Sequence, residues 1–153
     1  METYVPSHAS PGRAARLLVV DDDIEHAEIC AVLLRRRGFV VAVATTGDDA
    51  LALAGLMRPD LILLDLYMPA VDGFSTAEHL HDRSETRDVP IVVLSACAEL
   101  VNGSAEALGV PGMVGWLPKP FRASELIACV ERSLSGTHPT DASGPRPSAL
   151  PIL

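Results

Sequence analysis

The sequence predicts an α/β domain in which helices cover both faces of a parallel sheet. Short apolar segments rich in Val, Ile and Leu alternate with segments of helical periodicity. The apolar segments are continuously hydrophobic, which is typical of strands buried on both faces. The connections between them are short, as in a doubly wound sheet. The 153 residues suffice for one domain with a sizeable core.

Five strands are predicted from the apolar segments. Turn residues separate these segments from the neighbouring helices. The segments are rich in β-branched residues and Leu, and they are of ordinary strand length. The predicted strands cover residues 16–20 (RLLVV), 39–44 (FVVAVA), 61–66 (LILLDL), 89–95 (VPIVVLS) and 114–118 (VGWLP).

Five helices are predicted between and after these strands. The first begins at Asp23, which we expect to act as the N-cap, and ends at Gly38. The fourth is the least regular, because Asn102-Gly103 interrupts it, so the shape of residues 97–113 stays open. The predicted helices cover residues 23–38, 47–57, 72–83, 98–109 and 122–134.

The domain is predicted to span residues 16–134, with a disordered segment at each end. Residues 1–15 show no periodicity, and residues 135–153 are rich in Pro, Ser and Gly. No DNA-binding or catalytic segment follows residue 134, so we expect a stand-alone domain that acts through contacts with other proteins.

Composition argues against several classes of protein. The net charge of −8 disfavours a nucleic-acid-binding surface, and the one dense basic run, residues 35–37, fits a solvated helix end. No apolar run approaches the ~18 residues of a membrane span, so no membrane insertion is expected. The five histidines lack metal-ligand spacing, which disfavours a zinc site. Without a CxxC pair, the three cysteines suit a reducing cytoplasm: Cys30, Cys97 and Cys129.

Polar residues stand at the carboxyl ends of four predicted strands. Asp21-Asp22-Asp23 follows the first strand, Asp65 lies in the third, Ser95 ends the fourth, and Lys119 follows the fifth. Ligands of doubly wound sheets bind beyond this edge, so we expect these side chains to converge. The alternative is a set of unrelated helix caps and a surface lysine.

Converging carboxylates should repel one another and raise one another's pKa. A hard divalent cation would relieve this repulsion, and Mg²⁺ fits best because it accepts few carboxylates and retains water. The Lys119 ammonium suits a phosphoryl group, and Ser95 adds a hydroxyl donor.

Four stretches stand out by their order and spacing: LLVVDDD, LILLDLYMPAVDGF, VVLSA and LPKPF. In this order and spacing, the chain resembles the receiver domain of two-component response regulators. The resemblance covers about residues 16–134. It implies a flavodoxin-like fold with sheet order 2-1-3-4-5. It also implies a cytoplasmic, regulatory phosphoacceptor, not an enzyme, that promotes its own Mg²⁺-dependent phosphorylation and dephosphorylation. A histidine kinase or a histidine phosphotransfer protein would be the donor, and the downstream protein is unknown.

The resemblance also implies roles for individual residues. Asp65 would be the phosphoacceptor, and it would bind Mg²⁺ together with Asp22 and the backbone carbonyl of Tyr67. Asp21 would act on the metal through water. Lys119 would contact the phosphoryl group.

Other positions implied by the resemblance surround that group. Ser95 and the small Ala96 would lie beside it, and Trp116, where the family usually has Tyr or Phe, would be the aromatic switch. Three further residues would shape the turns of the site: Pro69, Gly73 and Pro120. The peptide bond before Pro120 would be cis.

The sequence argues against two other functions. An aspartyl-nucleophile phosphatase commonly needs a second Asp two positions after the nucleophile, where this chain has Tyr67. A degenerate receiver that only binds partners would have lost the acceptor, the lysine or the acidic pair, and all are present.

Overall fold

A computed structural model describes residues 13–68, 71–95 and 109–136, without the side chains of residues 67, 68, 71 and 72. A five-stranded parallel sheet and a two-stranded antiparallel hairpin account for the described strands. The strands are β1 (Arg16–Val20), β2 (Val40–Ala44), β3 (Leu61–Asp65), β4 (Tyr67–Met68), β5 (Val71–Asp72), β6 (Ile91–Ser95) and β7 (Met113–Pro118). The described helices are α1 (Ile24–Arg35), α2 (Gly47–Met57), α3 (Gly73–Asp82) and α4 (Ala123–Leu134).

The main sheet has the order β2-β1-β3-β6-β7. Counting only its five strands, this is the order 2-1-3-4-5, so the predicted fold is confirmed. Four of the five predicted helices lie in the described part of the chain. The helix predicted over 98–109 falls, except for Gly109, outside the described residues, as do residues 1–12 and 137–153 of the predicted tails.

The N-terminal boundary differs slightly from the predicted one. Ala15, placed by the sequence in the tail, is buried, and its carbonyl accepts a hydrogen bond of 2.9 Å from the N–H of Val40. Arg13 donates to the Asp60 carboxylate at 3.2 Å. These contacts attach residues 13–15 to the sheet, so they pack with the domain although the sequence places them in the tail.

Helix ends follow the local sequence closely. The Asp23 side chain accepts from the N–H of His26 and caps α1, as predicted. Gly38, with φ of 96°, ends the turn after α1 in a conformation that glycine adopts without steric cost. Thr46 caps α2 by accepting from the N–H of Asp49.

The sheet separates two apolar clusters, because successive residues of each strand point to opposite faces. Leu17 and Val19 belong to the cluster that α1 and α4 cover. Leu18 and Val20 belong to the cluster that α2 and α3 cover. All five residues of β3 are buried, so the strand at the centre of the sheet holds its terminal carboxylate, Asp65, in a fixed place.

The strand register brings the predicted polar residues to one edge of the sheet. Val20 pairs with Leu64, so Asp21 and Asp65 follow in adjacent strands. Asp65 in turn pairs with Leu94 of β6. Ser95, the last residue of β6, pairs with Pro118, which immediately precedes Lys119. None of the helices in the described part of the chain is long and apolar enough to cross a bilayer.

Candidate functional site

Three carboxylates meet at the carboxyl edge of the sheet. Oxygens of Asp21, Asp22 and Asp65 all lie within 4.8 Å of one another. Asp21 and Asp65 are buried and Asp22 is partly exposed. An oxygen-only set at this spacing fits a hard divalent cation such as Mg²⁺, with the partly exposed side open to water ligands.

Lys119 connects two of these acids. Its N–H donates to the Ser95 carbonyl at 2.8 Å, which fixes the backbone beside the end of β6. Its Nζ donates at 3.0 Å to Oδ2 of Asp21 and at 3.0 Å to Oδ2 of Asp65. Burial alone would lower the pKa of Lys119, but these two carboxylates outweigh it and raise that pKa. Lys119 is therefore a positively charged group in direct contact with Asp65, the candidate acceptor.

Asp21 is the most enclosed of the acids, with 1% of its surface exposed. Its Oδ1 accepts from the N–H of Asp23 at 3.0 Å, and its Oδ2 accepts from Lys119 and contacts Nδ1 of His26 at 2.9 Å. Burial would raise the pKa of Asp21, but these hydrogen bonds lower it overall. The predicted increase in pKa is therefore wrong for Asp21, because its hydrogen bonds and the Lys119 charge outweigh the effect of burial.

Gly73 allows the chain to pass close to the strand that carries Asp65. A Cβ atom at Gly73 would lie 2.6 Å from the carbonyl oxygen of Asp65 and 2.6 Å from Cα of Leu66. Both contacts are with backbone, which cannot rotate away. The Gly73 N–H also donates to the Leu66 carbonyl at 3.3 Å. The requirement for glycine at this position is thus steric.

The short hairpin between Asp65 and Gly73 was not predicted. Tyr67 pairs with Asp72 in an antiparallel ladder, so α3 begins at Gly73 and not at the predicted Asp72. The Tyr67 backbone lies two residues after Asp65, in β4. Pro69, predicted to shape this turn, lies outside the described residues.

The remaining predicted residues lie at the ends of β6 and β7. Ser95 is completely buried. Trp116 is 8% exposed and belongs to the cluster beneath α2 and α3, so its ring is already inside the domain. The Lys119–Pro120 peptide bond is cis. Ala96 lies outside the described residues.

Two residues at the site were missed by the sequence analysis. His26, in the first turn of α1, contacts Asp21, and its ring meets that of Phe121 edge-on with centroids 5.6 Å apart. The spacing of the histidines relative to one another does not reveal this contact. The available signal was the position of His26 three residues after the Asp23 cap, where a first-turn side chain can reach back to the strand end.

A family comparison accounts for most of the chain. The model of the response regulator receiver domain matches residues 17–131. That segment includes all the site residues described above and nearly all of the residues that the structure describes.

Curated relatives show the same relationship over part of their length. The DNA-binding response regulator MtrA of Mycobacterium tuberculosis (strain H37Rv) is 40% identical over 120 residues, which are 78% of this chain and 50% of MtrA. The response regulator MprA of Mycolicibacterium vanbaalenii is 39% identical over 129 residues, 84% of this chain and 54% of MprA. The chain therefore spans about half the length of the curated relatives it matches.

Solved structures give the same result. The chemotaxis response regulator CheY4 of Vibrio cholerae superposes with a TM-score of 0.71 at 30% identity, covering 80% of this chain and all of that one. The receiver domain of a Pseudomonas aeruginosa sensor histidine kinase gives a TM-score of 0.68 at 30% identity, covering 81% and 99%. That structure is described as having a magnesium ion coordinated in its active-site cleft. With its fold, its acidic edge and these relatives in agreement, the chain belongs to the response regulator receiver domain family.

Proposed function

We propose that this receiver domain accepts a phosphoryl group on Asp65. One observation carries the proposal: a buried strand ends in Asp65, whose Oδ2 lies 3.0 Å from the Lys119 ammonium, beside two further carboxylates. A buried carboxylate with a purely structural role needs only one cation or one hydrogen-bond donor. Asp65 has the Lys119 cation and also lies in a cluster of carboxylates with the oxygen spacing of a metal site, as phosphoryl transfer requires.

The residues have distinct tasks in the transfer. The Asp65 carboxylate attacks the phosphorus of a phosphohistidine; an O–P bond forms, the N–P bond breaks, and the imidazole leaves. Lys119 donates to the transferred oxygens as they approach, which its flexible stem permits. Asp22, Asp65 and the backbone carbonyl of Tyr67 would hold Mg²⁺ directly, and Asp21 would act on it through water. When bound, the metal ion neutralises charge on the transferred group and on the carboxylates around it.

Phosphorylation would signal through contacts that exist only in the phosphorylated state. New acceptor oxygens on Asp65 would draw the Ser95 hydroxyl and the Lys119 ammonium. Since Lys119 N–H already donates to the Ser95 carbonyl, the two residues would respond together. Such state-specific contacts can bias a two-state surface, here with Trp116 as the switch residue on β7.

The partners that we propose are proteins. A histidine kinase or a histidine phosphotransfer protein would be the phosphoryl donor, in the cytoplasm. MtrA is described as DNA-binding, but it is about twice as long as the segment that it shares with this chain. The net charge of −8 favours output through protein contacts over direct binding to nucleic acid.

The proposal is tested by acetyl phosphate, a small phosphoryl donor. Wild-type protein incubated with acetyl phosphate and Mg²⁺ should gain the mass of one phosphoryl group, measured by intact mass spectrometry. Asp65→Asn should gain none. Asp49→Asn, which removes an exposed carboxylate from the first turn of α2, should label like the wild type. Labelling that persists in Asp65→Asn would assign the acceptor elsewhere.

A further inference from the structure

His26 occupies a position from which it reaches two parts of the site. Its backbone is fixed in the first turn of α1, because its N–H donates to Asp23 Oδ1 at 3.2 Å. Its Nδ1 lies 2.9 Å from Oδ2 of Asp21, five residues earlier in the chain. The side chain is 30% exposed, whereas that of Asp21 is 1% exposed. His26 therefore lies between solvent and the most enclosed acid of the cluster.

The direction of this hydrogen bond follows from the state of Asp21. The same carboxylate accepts from the Asp23 N–H and from the Lys119 ammonium, contacts that favour its ionised form. An ionised carboxylate only accepts, so Nδ1 of His26 must carry the proton and donate it. Oδ2 of Asp21 therefore has two donors, His26 from one side and Lys119 from the other.

The other face of the imidazole contacts the segment that carries Lys119. Phe121, two residues after Lys119, meets the ring edge-on, with centroids 5.6 Å apart and an interplanar angle of 65°. One side chain thus links the end of β1, the start of α1 and the segment after β7. No other histidine in the described part of the chain contacts an acid of this site.

The two donors to Oδ2 of Asp21, His26 and Lys119, would be affected differently by phosphorylation of Asp65. Lys119 is shared between Asp21 and Asp65, and a phosphoryl group on Asp65 would take its donors. The hydrogen bond from His26 involves no other acid of the cluster. It therefore remains available to Asp21 when Lys119 turns away.

We propose that His26 is a positioning residue that holds the Asp21 carboxylate in place for the metal while Lys119 engages the phosphoryl group. This inference rests on the proposed phosphoacceptor function. Partners that orient the residues around a metal typically change metal affinity or activity by about 10- to 100-fold when removed. Because Asp21 retains two other donors, we expect an effect near the lower limit, on the order of 10-fold.

Three substitutions separate the hydrogen bond from the bulk of the ring. His26→Leu retains apolar contact with Phe121 but removes the donor. His26→Asn places an amide N–H near the position of Nδ1, and His26→Gln moves that amide one bond farther away. His79→Leu is the matched control, because His79 is an exposed histidine on α3. Urea unfolding in EDTA verifies that each variant is folded.

Two measurements are made on each variant. The first is the Mg²⁺ dissociation constant by calorimetric titration, and the second is the rate of labelling by acetyl phosphate at saturating Mg²⁺. His26→Leu and His26→Gln should bind Mg²⁺ on the order of 10-fold more weakly and label more slowly. His26→Asn should remain within about threefold of the wild type, and His79→Leu should match it.

Other results would overturn the inference. Equal dissociation constants for His26→Asn and His26→Gln would show that the placement of the donor is irrelevant, and this comparison stands even if the leucine variant fails to fold. Wild-type Mg²⁺ affinity in His26→Leu would have the same meaning. Absence of labelling in the wild type would instead refute the proposed function, and the Mg²⁺ titration would still decide the role of His26.

Discussion

Gly73 and the carbonyl of Asp65 approach so closely that one methyl group decides whether the loop after β3 can form. A Cβ at position 73 would meet backbone atoms of Asp65 and Leu66 at 2.6 Å. The clash is at Asp65, the proposed acceptor, so relieving it must displace Asp65, Leu66 or the start of α3. Gly73 therefore affects both the stability of the fold and the geometry of the site.

Gly73→Ala should consequently destabilise the domain by about 1–3 kcal/mol, as overpacking typically does. It should also slow labelling by acetyl phosphate, because Asp65 is displaced. Gly55→Ala is a matched control in α2, where the nearest atom to a new Cβ is 4.0 Å away. That variant should gain about 0.5–1 kcal/mol, because alanine favours a helix interior. Urea unfolding measures both; equal effects would contradict the steric argument.

Convergence of Asp21, Asp65 and Lys119 was predictable from the sequence, because each follows or ends a strand and parallel strands share one carboxyl edge. The lowered pKa of Asp21 was not predictable. Burial would raise that pKa, and hydrogen bonds from the Asp23 N–H, from His26 and from Lys119 together lower it; Lys119 comes from a segment far from Asp21 in the chain. A sequence shows which charges meet, but not which hydrogen bonds compensate them.

At the scale of elements, the buried strands were predicted well and the boundaries less so. The predicted strand over 89–95 begins at Ile91, since the N–H of Val89 bonds to the Thr86 carbonyl in a turn. The β4–β5 hairpin escaped prediction because its strands have two residues each, too few to show periodicity. The periodicity of a sequence is informative only where a helix or strand is long enough for its residue pattern to repeat.

Strand β7 carries Trp116, the only tryptophan of the chain. An aromatic switch residue could respond to phosphorylation by moving inward and burying apolar area. With 8% exposure the ring has little area left to bury, so a large gain from that movement is not available. A response of Trp116 would instead come from repacking of its neighbours.

We therefore expect beryllofluoride, a stable phosphoryl mimic, to change the intensity of tryptophan emission in Mg²⁺ with little further blue shift. Val93, which pairs with Trp116, lies two residues before Ser95, so movement of Ser95 should alter the surroundings of the ring. Asp65→Asn is the control and should show no change. An unchanged wild-type spectrum, with binding of the mimic measured separately, would mean that Trp116 is fixed and does not act as the switch.

For the molecule as a whole, the fold concentrates negative charge at one edge of a sheet in a chain of net charge −8. Lys119 and His26 compensate Asp21 from within the domain. Asp22 is different: among the described residues its side chain has no hydrogen bond or ion pair. A metal ion would therefore mainly neutralise the negative charge of Asp22, which the described part of the protein leaves uncompensated.

Mg²⁺ should accordingly stabilise the native state, since a ligand that binds only the folded chain shifts unfolding by mass action. At ten times its dissociation constant the ion adds about 1.4 kcal/mol, which corresponds to a rise in melting temperature of about 4 °C for a domain of this size. Asp22→Ala should lose most of this rise. In EDTA the same variant should melt above the wild type, because a repelling charge is gone and no compensating contact is lost with it.

Glu78→Ala, which removes an exposed charge from α3, should respond to Mg²⁺ like the wild type. Scanning calorimetry with and without Mg²⁺ measures all three proteins, and equal metal responses in Asp22→Ala and Glu78→Ala would place the cation away from this acidic edge.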